Sequence, residues 1–314
     1  MKGKYILYIV IYIVLLFLLY KGDLVSASYD VVSEEGWIDL YVCQEINCSA
    51  ILVDLVSQSE NVSCAFYDID EPAVVSALRS VDVLLFEDNA LDNFPTVSSR
   101  GLMHNKFCAF DNELIFTGTW NPTMRGTYKN DNVILIASSP SLNTFYEEAY
   151  DHLADRTKKT NPVHVNLSGS MIDGYLCPQH SCEEKVIAEI DSSEESIDIL
   201  AFSFTSRPIA DALLLARDRG VEIRVLFEKT RIASYSQYEY LLSHNISVYK
   251  DGNKYVMHEK TFLIDNETLI VGSYNPTANA NTRNDENILI IQDENVVEKM
   301  NLEFERVFID VLFK

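Results

Sequence analysis

Between residues 36 and 314 the chain alternates two patterns. Short apolar runs, rich in β-branched residues, read as strands, and stretches with apolar residues three and four apart read as helices. In the first half a strand is predicted near Trp37–Cys43. A helix from Ser49 to Ser59 follows, capped by Ser49 and carrying Ile51, Leu52, Leu55 and Val56 on one face. A strand at Ser63–Asp68, a helix at Pro72–Arg79 and a strand at Asp82–Phe86 come next, then an irregular segment to Arg100. After a hairpin, Val133–Ala137 and a helix from Ser141 to Ala154 close the half. Residues 155–170 are polar, contain Pro and lack apolar period, so they read as a linker. The second half repeats the order: strand Ile172–Leu176, helix Cys182–Asp191, strand Ile197–Phe204, helix Pro208–Arg219 and strand Val221–Phe227. It then adds a helix at Tyr235–His244 and a strand at Ile246–Tyr249 before its own hairpin. Strands alternating with helices predict an α/β fold with mixed, mainly parallel sheets covered on both faces. The modules are residues 36–154 and 171–314.

Upstream, Lys2 and Lys4 precede an unbroken apolar run from Tyr5 to Tyr20, then Lys21 and Val25-Ser26-Ala27. This is an export leader over residues 1–27, either a cleaved signal peptide or a membrane anchor through residues 5–20. It implies an extracytoplasmic protein, secreted or membrane-anchored.

The two hairpins are copies of one sequence. Met103–Thr123 recurs as Met257–Thr277, and from the His onward nine of twenty aligned positions are identical, against roughly one by chance. In each copy a strand-like run carries His104-x-Lys106 or His258-x-Lys260, and period two puts imidazole and ammonium on one face. The runs turn at Asp111-Asn112 and Asp265-Asn266. They return to Gly118-Thr119-x-Asn121 and Gly272-Ser273-x-Asn275, where glycine permits close approach and a hydroxyl and an amide supply neutral donors. Together these groups suit a phosphate.

HxKxxxxD followed by Gly-[Ser/Thr]-x-Asn, present twice with the same His-to-Gly spacing of fourteen, resembles the motif of the phospholipase D superfamily. The resemblance implies two tandem modules related by a pseudo-twofold axis, with both hairpins meeting in one active site, so that the monomer is an internal pseudo-dimer. It implies His104 as nucleophile and His258 as general acid, with Lys106, Lys260, Asn121, Asn275, Thr119 and Ser273 around the phosphate. It also implies a carboxylate about ten residues after the motif Asn that orients a catalytic imidazole; Glu286 fits, and Asp131 is taken as its counterpart. Asp111 and Asp265, at the turns, are structural or catalytic. No metal and no cofactor is required.

Charge narrows the substrate. The net charge is −22; removing residues 1–27, which hold three Lys and one Asp, makes it −24. A long-range basic field for nucleic acid or anionic membranes is therefore excluded, although Arg100, Arg125, Lys129, Lys229, Arg231, Lys250, Lys254 and Arg283 gather around the motifs. Phospholipid head groups are the leading substrate expectation, nucleic acid is the alternative, and a non-catalytic phosphate-binding protein is a third. Cys43-x4-Cys48 and Cys177-x4-Cys182 read as short disulfide loops in an exported protein; zinc held by these four and His180 is the rival. Cys64 and Cys108 fall on core strands, as a third bridge or two buried thiols.

Overall fold

The computed structural model describes residues 30–91 and 93–312; the predicted leader lies outside them. Val31–Lys314 form one compact unit. Its first half contains β1 (Val32–Glu34), β2 (Trp37–Val42), α1 (Cys48–Gln58), β3 (Val62–Phe66), α2 (Pro72–Leu78), β4 (Asp82–Phe86), β5 (Thr96–Val97), β6 (Lys106–Phe110), β7 (Leu114–Gly118), α3 (Met124–Tyr128), β8 (Val133–Ser138) and α4 (Pro140–Ala154). The second contains β9 (Val163–Leu167), β10 (Ser170–Cys177), α5 (Cys182–Ser192), β11 (Ser196–Ala201), α6 (Arg207–Arg219), β12 (Glu222–Phe227), α7 (Tyr238–Ser243), β13 (Ser247–Lys250), β14 (Lys260–Ile264), β15 (Thr268–Gly272), α8 (Ala278–Thr282), β16 (Glu286–Gln292) and α9 (Glu294–Leu312).

Two sheets result, in the orders β2-β8-β7-β6-β3-β4-β5 and β1-β9-β10-β16-β15-β14-β11-β12-β13. The fold is α/β with mixed sheets, but the expectation of mainly parallel sheets is corrected. Two pairings in the first sheet are parallel (β3–β4, β4–β5) and three in the second (β1–β9, β11–β12, β12–β13), and the others are antiparallel. Part of the reason lies in the connections: each motif is a hairpin, and a hairpin closes only an antiparallel ladder.

One apolar core is shared by the halves. Leu142, Phe145 and Tyr146 of α4 and Val297, Met300 and Phe304 of α9 join it, with strands of both sheets. The terminal apolar positions Phe304 and Val307 are thus core. Separate cores lie under α1 and α2 and under α5 and α6.

Local corrections follow from specific bonds. Asn47, not Ser49, caps α1, its Oδ1 accepting from Ala50 N at 3.2 Å, while the Ser49 hydroxyl donates to Glu71 at 2.9 Å. The stretch before Glu35 and the segment expected as a linker supply β1, at the edge of the second sheet, and β9 beside it, whose Val165 and Leu167 enter the shared core. In the first half a two-residue strand, β5, stands where the second has β13, and α7 has no equivalent helix of its length. All six cysteines are bridged, Cys43–Cys48, Cys177–Cys182 and Cys64–Cys108, the last between facing positions of β3 and β6. No thiolate is left for the zinc alternative. Among the described residues no helix is long and apolar enough to cross a membrane.

Candidate active site

The hairpins are built alike. Asp111 and Asn112 take positive φ (50° and 57°), and Glu113 N donates to Phe110 O at 2.9 Å; Asp265 and Asn266 (both 54°) repeat the turn. Asp111 Oδ1 accepts from the backbone of Glu60 and Asn61, and Asp265 from Glu194, Glu195 and Ser196. These carboxylates tether the turn to the loop before β3 or β11. Five strand residues, or about 17 Å, separate them from the lysine end. At that other end Gly118 (φ 138°) lies so close to β8 that a Cβ would stand 2.4 Å from the Val133 carbonyl.

The start of each β6-type strand carries the His and Lys into the junction between halves. Backbone bonds cross it symmetrically: His104 N donates to Asp285 O at 2.9 Å, and His258 N to Asp131 O at 3.0 Å. Both imidazoles line one cleft of about 820 Å³, together with Asn121, Asn275, Tyr67 and Phe202. Each is held by the opposite half. His104 Nδ1 lies 2.7 Å from Glu286 Oε2, and His258 Nδ1 lies 2.9 Å from Asn132 Oδ1. With Nδ1 committed as the donor, Nε2 carries the lone pair available to a substrate. Tyr67 and Phe202 set ring edges against the two imidazoles, at 5.0 and 4.6 Å between centroids.

Asn132, not Asp131, is therefore the counterpart of Glu286. Asp131 lies one residue too early: its side chain turns away to Arg306 (2.8 Å) and Asn253, and its backbone supports His258. Counting fourteen residues from Gly118 and Gly272, rather than about ten from the Asn, gives Asn132 and Glu286. Thr119 and Ser273, expected at the phosphate, are fully buried and bonded to the orienting groups: Thr119 donates to Asn132 Oδ1 at 3.2 Å, and Ser273 to Glu286 at 2.7 Å. Asn132 Nδ2 donates to Gly126 and Asn130 carbonyls, which fixes its Oδ1 toward His258. Asn121 and Asn275 do reach the cleft, and the Oδ1 of each is buried with no hydrogen-bond partner. Trp120 and Tyr274 pack the hairpins. Tyr67, Phe202 and Asn132 carried no motif signal individually; pairing the two copies residue by residue is what exposes them.

The electrostatics are those of a buried cationic site. Lys106 and Lys260 each donate from Nζ to the carbonyl of the His two residues earlier. Burial pushes the Lys106 ammonium down to about 7, against the pull of Glu286 and Asp68. Lys260 falls well below its ordinary value, through burial and then Lys106. His258 falls well below its usual range through burial, Lys260 and Lys106. His104 is lowered by burial, an effect that Glu286 partly offsets. Burial opposes ionisation of Glu286, but His104 and Lys106 outweigh it and hold the carboxyl below its usual value. A bound phosphate diester would supply the negative charge this site lacks.

The family described as "Cardiolipin synthase, PLD-like domain" matches residues 56–154 and 186–308. The chain belongs to the phospholipase D superfamily, and its named homologues are hydrolases acting on phosphodiester bonds. It is 34% identical over 133 residues to a phospholipase D of Rickettsia conorii, covering 42% of this chain and 66% of that one. It is 32% identical over 185 residues to the mitochondrial cardiolipin hydrolase of Xenopus laevis, covering 55% and 88%. Among solved structures, phosphatidylserine synthase of Haemophilus influenzae superposes with a TM-score of 0.63 over 86% of this chain and 85% of that one, at 11% identity, a likeness of fold.

Proposed function

We propose that the cleft hydrolyses phosphodiesters by double displacement at phosphorus, through a phosphohistidine on His104. The observation that carries this reading is the pair of imidazoles in one cleft, each with Nδ1 anchored by the opposite half. His104 Nε2 attacks phosphorus and the bond to the leaving oxygen breaks, that oxygen taking the proton of His258. Water then attacks the phosphohistidine, giving a proton to His258, and His104 is released. Lys106, Lys260 and the Nδ2 groups of Asn121 and Asn275 hold the non-bridging oxygens. The roles follow from the orienting groups. A phosphorylated imidazole is cationic, and Glu286 supplies a counter-charge only to His104. The neutral amide of Asn132 leaves the His258 imidazolium a stronger acid, suited to protonating a leaving group.

Two substrates are consistent with this chemistry. Phospholipid head groups are supported by the relatives, named for phospholipase D and cardiolipin hydrolase. Nucleic acid is supported by the arginines 100, 231 and 283 lining the cleft of an otherwise acidic protein.

Bis(p-nitrophenyl) phosphate tests the roles because its leaving group needs no acid. H258N should release about one equivalent of nitrophenolate in a burst and then stall, with the nitrophenyl phosphoryl group trapped on His104, whereas H104N should show no burst. A burst in H104N alone would exchange the roles, and full turnover in both variants would remove the mechanism.

A further inference from the structure

Beside the catalytic cleft lies a second one of about 570 Å³, and Arg100 and Arg283 line both. The second cleft is walled by Ser98, Ser99, His152, Arg156 and Gln179 among others, and Pro178 is the one apolar residue in its lining. Arg156 is neutralised there by Asp285, with two contacts of 2.8 Å. Arg100 and Arg283 have no carboxylate partner among the described residues. The Arg283 guanidinium instead donates to the Arg100 carbonyl at 2.8 and 3.2 Å, which holds it on the divide between the clefts. In a chain with 47 acidic and 25 basic residues, two uncompensated guanidinium groups on that divide are an unusual concentration.

The repeat adds an independent observation. Counted from His104 and His258, Arg100 corresponds to Lys254; counted from Gly118 and Gly272, Lys129 corresponds to Arg283. Lys129 and Lys254 also converge, with their ammoniums 5.5 and 5.6 Å from the ring of Tyr255. Each cationic pair thus takes one residue from each half, and the two pairs are related by the internal repeat.

We propose that the second cleft is a subsite for the neighbouring phosphate of a phosphodiester strand, with Arg100 and Arg283 as its ligands. The inference rests on the phosphodiesterase reading and names the substrate class. Arginine, serine, threonine and glutamine side chains along the lining supply hydrogen-bond donors for the sugar–phosphate chain of a single-stranded nucleic acid. Two cationic pairs related by the repeat suit a polymer continuing on either side of the scissile bond.

Fluorescence anisotropy of the full chain carrying H104N, with labelled oligothymidylates of one to five phosphodiesters, separates binding from turnover. Affinity should rise about tenfold when the second phosphodiester is added. In the R100Q and R283Q backgrounds that step should shrink, and the slope of log affinity against log salt should flatten by about 0.7 for each phosphate contact removed. Equal affinity along the series, or a step unchanged in both arginine variants, overturns the subsite. Binding to cardiolipin-containing vesicles that is lost in R100Q and R283Q, without oligonucleotide binding, overturns the strand in favour of a bisphosphate lipid. The parent reading is judged separately, by whether wild-type turnover of bis(p-nitrophenyl) phosphate requires His104.

Discussion

At the scale of single residues, the informative difference between the two copies is Asn132 against Glu286. Both accept from an imidazole Nδ1, but only Glu286 brings charge. If His258 is the acid, the alkaline limb of kcat/KM follows loss of its proton. N132D places a carboxylate beside that imidazole and should raise its pKa, moving the limb to higher pH by about one unit or more. E286Q should instead lower kcat by about 10² or more, because the His104 cation loses its counter-charge. A pH–rate series on the three proteins checks both, and an unmoved limb in N132D would assign the acid elsewhere. Lys106, pushed down to about 7, adds a further expectation: the free enzyme loses this cation as pH climbs through that value, so KM should rise there. The histidines, lysines and motif asparagines were legible in the sequence because the repeat marks them. Asn132 was not, since an amide in place of a carboxylate breaks the pattern being sought, and Asp131 one position earlier offered the expected chemistry in the wrong register. The buried hydroxyls of Thr119 and Ser273 were misassigned because sequence places a donor near a site without saying which way it points.

At the scale of elements, α9 does more than close the second half. Its Arg306 makes two 2.6 Å bonds to Glu303 and one of 2.8 Å to Asp131, the residue whose carbonyl accepts from His258 N. Between His258 and Lys260, Glu259 is fully buried, and its carboxyl meets that of Glu303 on α9, a contact that requires a proton between them. Its counterpart Asn105 accepts from Asn287 at 2.8 Å, but the residue matching Asn287 is Val133, which offers no donor. Burial, then Glu303 and Asp131, raise the Glu259 pKa well above the ordinary 4.5, with Arg306 opposing. The folded protein thus holds a proton that the unfolded chain releases above about 4.5. The stability tied to that proton is complete below this pH and is lost as pH rises toward the folded value, by about 1.4 kcal/mol per unit. E259Q keeps the shape and removes the titration, so its unfolding free energy should fall less steeply with pH and exceed wild type at alkaline pH. Denaturant melts at several pH values check this; parallel curves would show that Glu259 ionises freely in the fold. Element identity was largely legible here: α6 was read from its period and β6 and β14 from their composition, whereas α9 was not predicted as a helix. What was not legible was β1, a three-residue edge strand held by pairing, and β9, whose two core residues Val165 and Leu167 stand among polar neighbours, and strand direction, which depends on connections between elements.

At the scale of the whole molecule, the halves are one folding unit and one site. The shared core takes side chains from α4, α9 and both sheets, and each cleft imidazole is anchored across the junction. Covalent linkage between residues 155 and 161 contributes little by comparison, since that stretch of the chain is largely exposed and belongs to no helix or strand. A protease site placed there and cut in the folded protein should leave two pieces that co-elute at the size of the intact chain, with kcat within about twofold. They should part only in denaturant, and poorly reassemble from dilute solution, because each alone exposes half of a core and an unanchored histidine. Disulfides do not confound the result, as the three bridges lie within halves: Cys43–Cys48 and Cys64–Cys108 in the first, Cys177–Cys182 in the second. Pieces that separate without denaturant would mean that the interface between halves is weaker than the shared core implies. An inactive but associated pair would mean that the linking segment itself holds the site in register.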